Sequence, residues 1–187
     1  MAFTALLDAC VLYPAPLRDL LISLAQTSLY RARWSAQINN EWMEAVLRKR
    51  PDLKGKLRRT VAMMNEAVPD CLVTGHETLI DTLILPDGDD RHVLAAAIVG
   101  RAEVIVTFNR ADFPRHVLSP LNIELKHPDE FVRDILDLSE PAALAAVRNI
   151  RARLKSPPLS AEEYLDVLAR QGLPETVAHL RRRIDLI

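Results

Sequence analysis

Four carboxylates stand where a charge calls for an explanation: Asp8, Glu41, Asp90 and Asp112. Asp8 ends the apolar run Phe3 to Leu7, and in open parallel sheets the carboxyl ends of strands are where ligands bind. Glu41 fills the open slot of a helical stripe made by Ile38, Trp42, Ala45 and Val46. Asp90 takes the first slot of a second stripe, Val93, Leu94, Ala97 and Ile98. Asp112 lies three residues beyond Asn109, just after another strand end. An ionised carboxylate facing a core is costly unless it is paired or bound to a metal. Each acid also has a plainer reading. Glu41 could reach solvent from the edge of its stripe, and either Asp89 or Asp90 could cap its helix. Taken together, acids from four separate elements could converge on one edge. Carboxylate oxygens suit a hard cation such as Mg²⁺ or Mn²⁺, without which such like charges would repel.

The elements that must position these acids follow from pattern. Phe3 to Leu7, Leu29 to Arg33, Leu72 to Thr74, Glu103 to Phe108 and Asn122 to Leu125 read as short strands, with Val-Ile-Val-Thr typical of a strand buried on both faces. Between them lie helical stretches: one after Pro16, one from the cap Ser35 to about Arg48, one over 53–67, and one from Asp90 to about Gly100. Alternation of this kind argues for a parallel sheet covered on both sides. From Pro128 to the end the signals are helical only. Ser139 before Glu140-Pro141 is a candidate cap, Ser160 with Glu163 fits a capping box, and Gly172 with Pro174 separates the last two helices.

Composition sets limits. The 187 residues carry a net charge of −1, so binding by general neutralisation of phosphates is excluded, and any contact with nucleic acid needs local patches or bound cations. One such patch is Arg48, Lys49, Arg50, Lys54, Lys56, Arg58 and Arg59, whose plainer reading is a solvated helix face; Arg31 and Arg33 lie nearer the acids as candidate substrate contacts. The two cysteines, Cys10 and Cys71, form no zinc spacing and read as buried and reduced. His92 is expected on an exposed helix face and His76 in a cap region. No leader pattern and no membrane-length apolar run is present, so a cytoplasmic protein is expected. There is no glycine-rich nucleotide loop and no histidine placed with Ser35 for triad chemistry. A phosphoaspartate mechanism would need a second aspartate where Cys10 stands.

In order and approximate spacing, four segments resemble the motifs of PIN domains: Leu6-Leu7-Asp8-Ala9-Cys10-Val11-Leu12, Ser35 with Glu41, Asp90-Arg91-His92-Val93-Leu94-Ala95-Ala96-Ala97, and Thr107-Phe108-Asn109-Arg110-Ala111-Asp112-Phe113. The resemblance covers about the first two-thirds of the chain. It implies an α/β fold, a PIN-like three-layer sandwich around a central parallel sheet in residues 1–127, followed by an all-helical C-terminal extension over 128–187 like that of some VapC-type toxins. It implies an Mg²⁺- or Mn²⁺-dependent ribonuclease, the toxin of a toxin–antitoxin pair, with RNA as substrate, an antitoxin as partner and a homodimer as a further possibility. Asp8, Asp90 and Asp112 would hold the cation, and Glu41 would contact it through water or act as base. Thr107 and Asn109 would assist at the substrate. Many family members have an aspartate where this chain has Asn109, which leaves open a degenerate PIN domain that binds RNA or a protein without cutting. For the extension, docking on the sheet, a dimer surface and an antitoxin seat all remain open.

Overall fold

The structure, a computed structural model, describes residues 2–187. Five strands, β1 (Phe3–Leu7), β2 (Tyr30–Ser35), β3 (Leu72–Val73), β4 (Val104–Val106) and β5 (Glu124–Lys126), form one sheet in the order β3-β2-β1-β4-β5. Every pairing is parallel. The chain runs outward from β1 through β2 to β3, then returns to the other side of β1 for β4 and β5. The order therefore reverses between β1 and β4. A crevice opens at the carboxyl ends of the strands at such a reversal. Asp8 follows β1 and Thr107 follows β4, so both stand at that point.

Helices cover the sheet: α1 (Ala9–Leu12), α2 (Ala15–Ala25), α3 (Ala36–Lys49), α4 (Lys54–Ala67), α5 (Glu77–Ile80), α6 (Arg91–Val99) and α7 (Arg115–Leu118). Ser35 caps α3 as expected, its Oγ accepting from the Ile38 amide at 3.1 Å. β2 runs two residues beyond its expected end, because Trp34 and Ser35 pair with Leu72 and Val73 of β3. β5 begins later than expected, since Asn122 adopts a left-handed turn with φ 54°. The largest departure is α6. Its residues His92 to Ala97 are all buried, so this part of the helix has no solvent face. That overturns the expectation of an exposed His92, which rested on an apolar stripe with a wet opposite side.

The C-terminal helices are α8 (Pro128–Leu138), α9 (Glu140–Arg153), α10 (Ala161–Arg170) and α11 (Pro174–Arg181). Of the roles open for this extension, the structure shows docking. Phe131 of α8 enters an aromatic cluster with Phe3 of β1 and Tyr30 of β2, at ring-centroid distances of 6.0 and 4.9 Å. α9 lies along α2, and α11 packs on α8. One buried core runs from the strands into these helices without a break. Ser160 and Glu163 make the expected capping box on α10. Ser139 precedes α9 as expected but makes no side-chain cap. Gly172, at φ +78°, turns the chain between α10 and α11. Among the described residues no helix is long and apolar enough to cross a membrane.

A single buried carboxylate ties the extension together. α11 has no cap of its own; Asp129, at the start of α8, accepts from the Glu175 and Thr176 amides at 2.9 and 2.8 Å. Asp129→Ala would leave two amide donors of a helix start without partners, at a cost of about 2–3 kcal/mol. The expected result is a melting temperature lower by several degrees, with Asp129→Asn recovering much of the loss. A melt of Asp129→Ala indistinguishable from wild type would contradict this account of how the last helix is held.

Candidate acidic site

Asp8 is fixed from three directions. It is the N-cap of α1, with Oδ1 accepting from the Ala9 amide at 2.6 Å. Oδ2 accepts from the Thr107 hydroxyl at 2.7 Å and from the Cys10 thiol at 3.1 Å. Thr107 is fully buried, and its hydroxyl also accepts the Asn109 amide at 3.0 Å. Thr107, expected to assist at the substrate, stands behind Asp8 and orients it from inside the protein. Cys10 departs from expectation too. It is half-buried at the cavity wall, and its thiol, pushed up to about 12 by burial first and then by the Asp8 charge, stays protonated and donates to the carboxylate. Cys71 is buried, as expected.

Asp8, Glu41 and Asp90 line one cavity of about 500 Å³, together with Cys10, Tyr13, Trp42, Arg48, Lys49 and Asn109. Glu41 projects from α3 beside Trp42, so its slot in the apolar stripe faces this cavity. Asp90 occupies the cap position of α6 but makes no side-chain cap, and its carboxylate is left to the cavity. Burial, followed by the negative fields of Asp8, Asp112 and Asp87, raises the Asp90 carboxyl to about 6; His92 opposes the rise. Asp112 sits in a short 3-10 turn over Arg110–Asp112. It is not a cavity wall residue, yet its charge reaches Asp90.

His92 is the residue that sequence reasoning missed. It is 2% exposed, and its Nε2 lies 2.7 Å from Glu41 Oε1. Its Nδ1 is buried with no partner. A bare ring nitrogen is easier to leave unpaired than a buried N–H, so the arrangement favours the tautomer that donates from Nε2 to Glu41. The sequence signal was the step of two residues from Asp90, which places His92 in the first turn of α6 facing α3. His76, expected near a cap, makes no cap bond; it is buried, neither ring nitrogen has a hydrogen bond, and Nδ1 lies 3.9 Å from Glu77 Oε1. Arg31 and Arg33 do not reach the cavity. Arg31 donates to the Ala2 carbonyl at 3.0 Å, and Arg33 to the Asp70 carbonyl. The structure therefore does not bring these two expected substrate contacts together with the acids, because their strand positions direct them to other parts of the backbone.

The donor set fits a hard cation in chemistry and charge. It consists of carboxylate oxygens, and burial together with the charges of the neighbouring acids raises the Asp90 carboxyl. It is not assembled for one: among the described residues no group of three or more His, Cys, Asp or Glu side chains is arranged to hold a metal ion.

Comparison with known proteins adds to this geometry. Residues 4–111 match the PIN domain family, and residues 128–182 match the VapC50 C-terminal domain family. A protein of Mycobacterium tuberculosis named "Putative ribonuclease VapC50" is 45% identical over 93 residues, which are 50% of this chain and 54% of the relative. The chain thus spans about half the length of the curated relative it matches. No solved structure matches the chain.

Proposed function

The chain belongs to the PIN domain family, and from that premise we propose that it is a metal-dependent ribonuclease. The observation that carries this reading is the meeting of Asp8, Glu41 and Asp90, from three elements, around one cavity with an unneutralised excess of negative charge. Asp8, Asp90 and Asp112 are the residues that would hold Mg²⁺ or Mn²⁺. When bound there, the cation would supply a water of lowered pKa and would stabilise charge on a phosphate. The rest is work for the protein's own side chains. Thr107 and the Ala9 amide hold Asp8 in one orientation. His92 holds one oxygen of Glu41, leaving the other free to accept a proton from a water attacking the phosphodiester. The name of the mycobacterial relative supports RNA as substrate. Its VapC designation supports a role as the toxin of a toxin–antitoxin pair, with an antitoxin as partner and the cytoplasm as the setting.

Two observations favour a second reading, an RNA-binding module that does not cut. Asn109 brings no charge to the cavity wall, and the acids are not gathered into a three-ligand group. A labelled single-stranded RNA incubated with the folded protein and millimolar Mn²⁺ separates the two. Cleavage supports the nuclease; RNA that is bound and left intact supports the module.

Because His92 acts on Glu41, His92→Phe removes a donor while keeping a ring of similar bulk. The expected result is a loss of kcat of about tenfold with little change in KM, partly recovered in His92→Gln. Equal activity of wild type and His92→Phe would show that the contact does not position Glu41.

A further inference from the structure

The acidic cavity poses an electrostatic problem that the proposed function does not solve. A phosphodiester approaching Asp8, Glu41 and Asp90 meets negative charge, and the protein as a whole offers no positive field to offset it. Two cations do stand on the cavity wall. Arg48 and Lys49 occupy the last turn of α3 and line the same space as the acids. Cations at a helix C-terminus complement its dipole wherever they occur, so their presence alone decides nothing. What distinguishes them is their placement and availability. The adjacent Arg50 is taken up by Asp52 at 2.8 Å, whereas among the described residues no carboxylate pairs with Arg48 or Lys49. Both are exposed.

An aromatic ring completes the arrangement. Tyr13, at the end of α1, also lines the cavity, and Lys49 Nζ lies 5.7 Å from its ring centroid. Partly exposed, the ring presents a flat surface beside two donors for phosphate. A single strand, whose bases are free to leave the helix stack, can use both features, stacking a base on the ring while neighbouring phosphates meet the cations. The remaining basic residues on α4 lie outside this cavity wall.

We propose that Arg48, Lys49 and Tyr13 form a subsite for single-stranded RNA on the rim of the acidic cavity, with two phosphate contacts and one stacked base. The subsite rests on the ribonuclease reading above, and it replaces Arg31 and Arg33 as the means by which a nearly neutral protein holds a polyanion.

The test measures KM and binding for a short single-stranded oligoribonucleotide across a range of salt concentrations. For the Arg48→Ala/Lys49→Ala double variant, KM should rise by about tenfold or more, and the salt slope should fall by about 1.4, two contacts at about 0.7 each. Tyr13→Ala should weaken binding by about tenfold and Tyr13→Phe should not, as stacking requires. The charge-retaining Arg48→Lys/Lys49→Arg variant should recover most of the affinity. Arg148→Ala/Arg170→Ala removes the same charge from exposed positions on α9 and α10 and should leave KM within about twofold. Matching melts of all variants exclude unfolding as the cause. If wild type cuts RNA but the Arg48/Lys49 double variant keeps its KM and salt slope, the subsite is wrong and the ribonuclease reading stands. If both double variants weaken binding equally, net charge is responsible and the subsite is again wrong. Equal affinity for a duplex of the same length would overturn the single-strand assignment. A folded wild-type protein that neither binds nor cuts RNA would overturn both readings.

Discussion

Asp8→Asn should abolish RNA cleavage, with a loss of at least about a thousandfold, in a protein that folds as wild type does. The expectation rests on what the substitution keeps and removes. The amide oxygen of asparagine can still accept the Ala9 amide and cap α1. The amide nitrogen replaces the oxygen that now accepts from Thr107 and from the Cys10 thiol; the Thr107 hydroxyl can turn to donate to Cys10 Sγ, 3.3 Å away, and accept from the new amide. What disappears is the negative charge at the switch point of the sheet, between β1 and β4. Asp8 is 4% exposed and is held by three donors, so no neighbouring acid can take its place without moving a helix. A circular-dichroism melt beside the cleavage assay separates the two effects. Wild-type cleavage by Asp8→Asn would remove Asp8 from the site; a lost fold would mean that its role is structural.

Asp90→Asn should raise stability while also removing activity: without added metal, the variant should melt above wild type at pH 7. The Asp90 carboxyl is raised in the fold to about 6 from an ordinary 3.8. The folded state therefore holds this proton more tightly than the unfolded chain does. Between roughly pH 4 and pH 6 stability falls as pH rises, and above pH 6 the whole penalty is present. A pKa rise of that size corresponds to about 3 kcal/mol at most, and water screening at a half-buried group reduces that to about 1 kcal/mol. Replacing the acid by its neutral amide removes the penalty and should raise the melting temperature by about 2–4 °C. At pH 4 the two proteins should melt together. Mn²⁺ should stabilise wild type and leave Asp90→Asn nearly unaffected, because a bound cation offsets both the burial of the Asp90 charge and its repulsion by Asp8, Asp112 and Asp87. A variant less stable than wild type at pH 7 would show that Asp90 is paired rather than crowded by like charge.

Much of this could be read from the sequence because the strongest constraints are local. Short apolar runs broken by turn residues gave the parallel sheet, and strand ends gave Asp8. Ser35 and the Ser160–Glu163 pair declared their helix starts through spacing alone. The features that escaped depend on contacts between distant elements. Periodicity describes one stripe and so predicts a wet face for His92, whereas α6 is buried all round over His92 to Ala97. The resemblance singles out Thr107 but does not reveal which way its hydroxyl points; its partner, Asp8, is 99 residues away. Arg31 and Arg33 were near the acids along the chain, but strand direction sends them to the Ala2 and Asp70 carbonyls. Nothing in the sequence sets Asp129 apart from other first-turn acids, because its service to α11 depends on the packing of the two helices.

The most direct measurement of the central claim is the rate of cleavage of a single-stranded RNA by the wild-type protein as Mn²⁺ is removed by chelation and then restored. The account predicts no cleavage in the chelator, a saturable rise as Mn²⁺ is restored, and a parallel rise in melting temperature. Undiminished cleavage in excess chelator, with every trace of Mn²⁺ withdrawn, would contradict it.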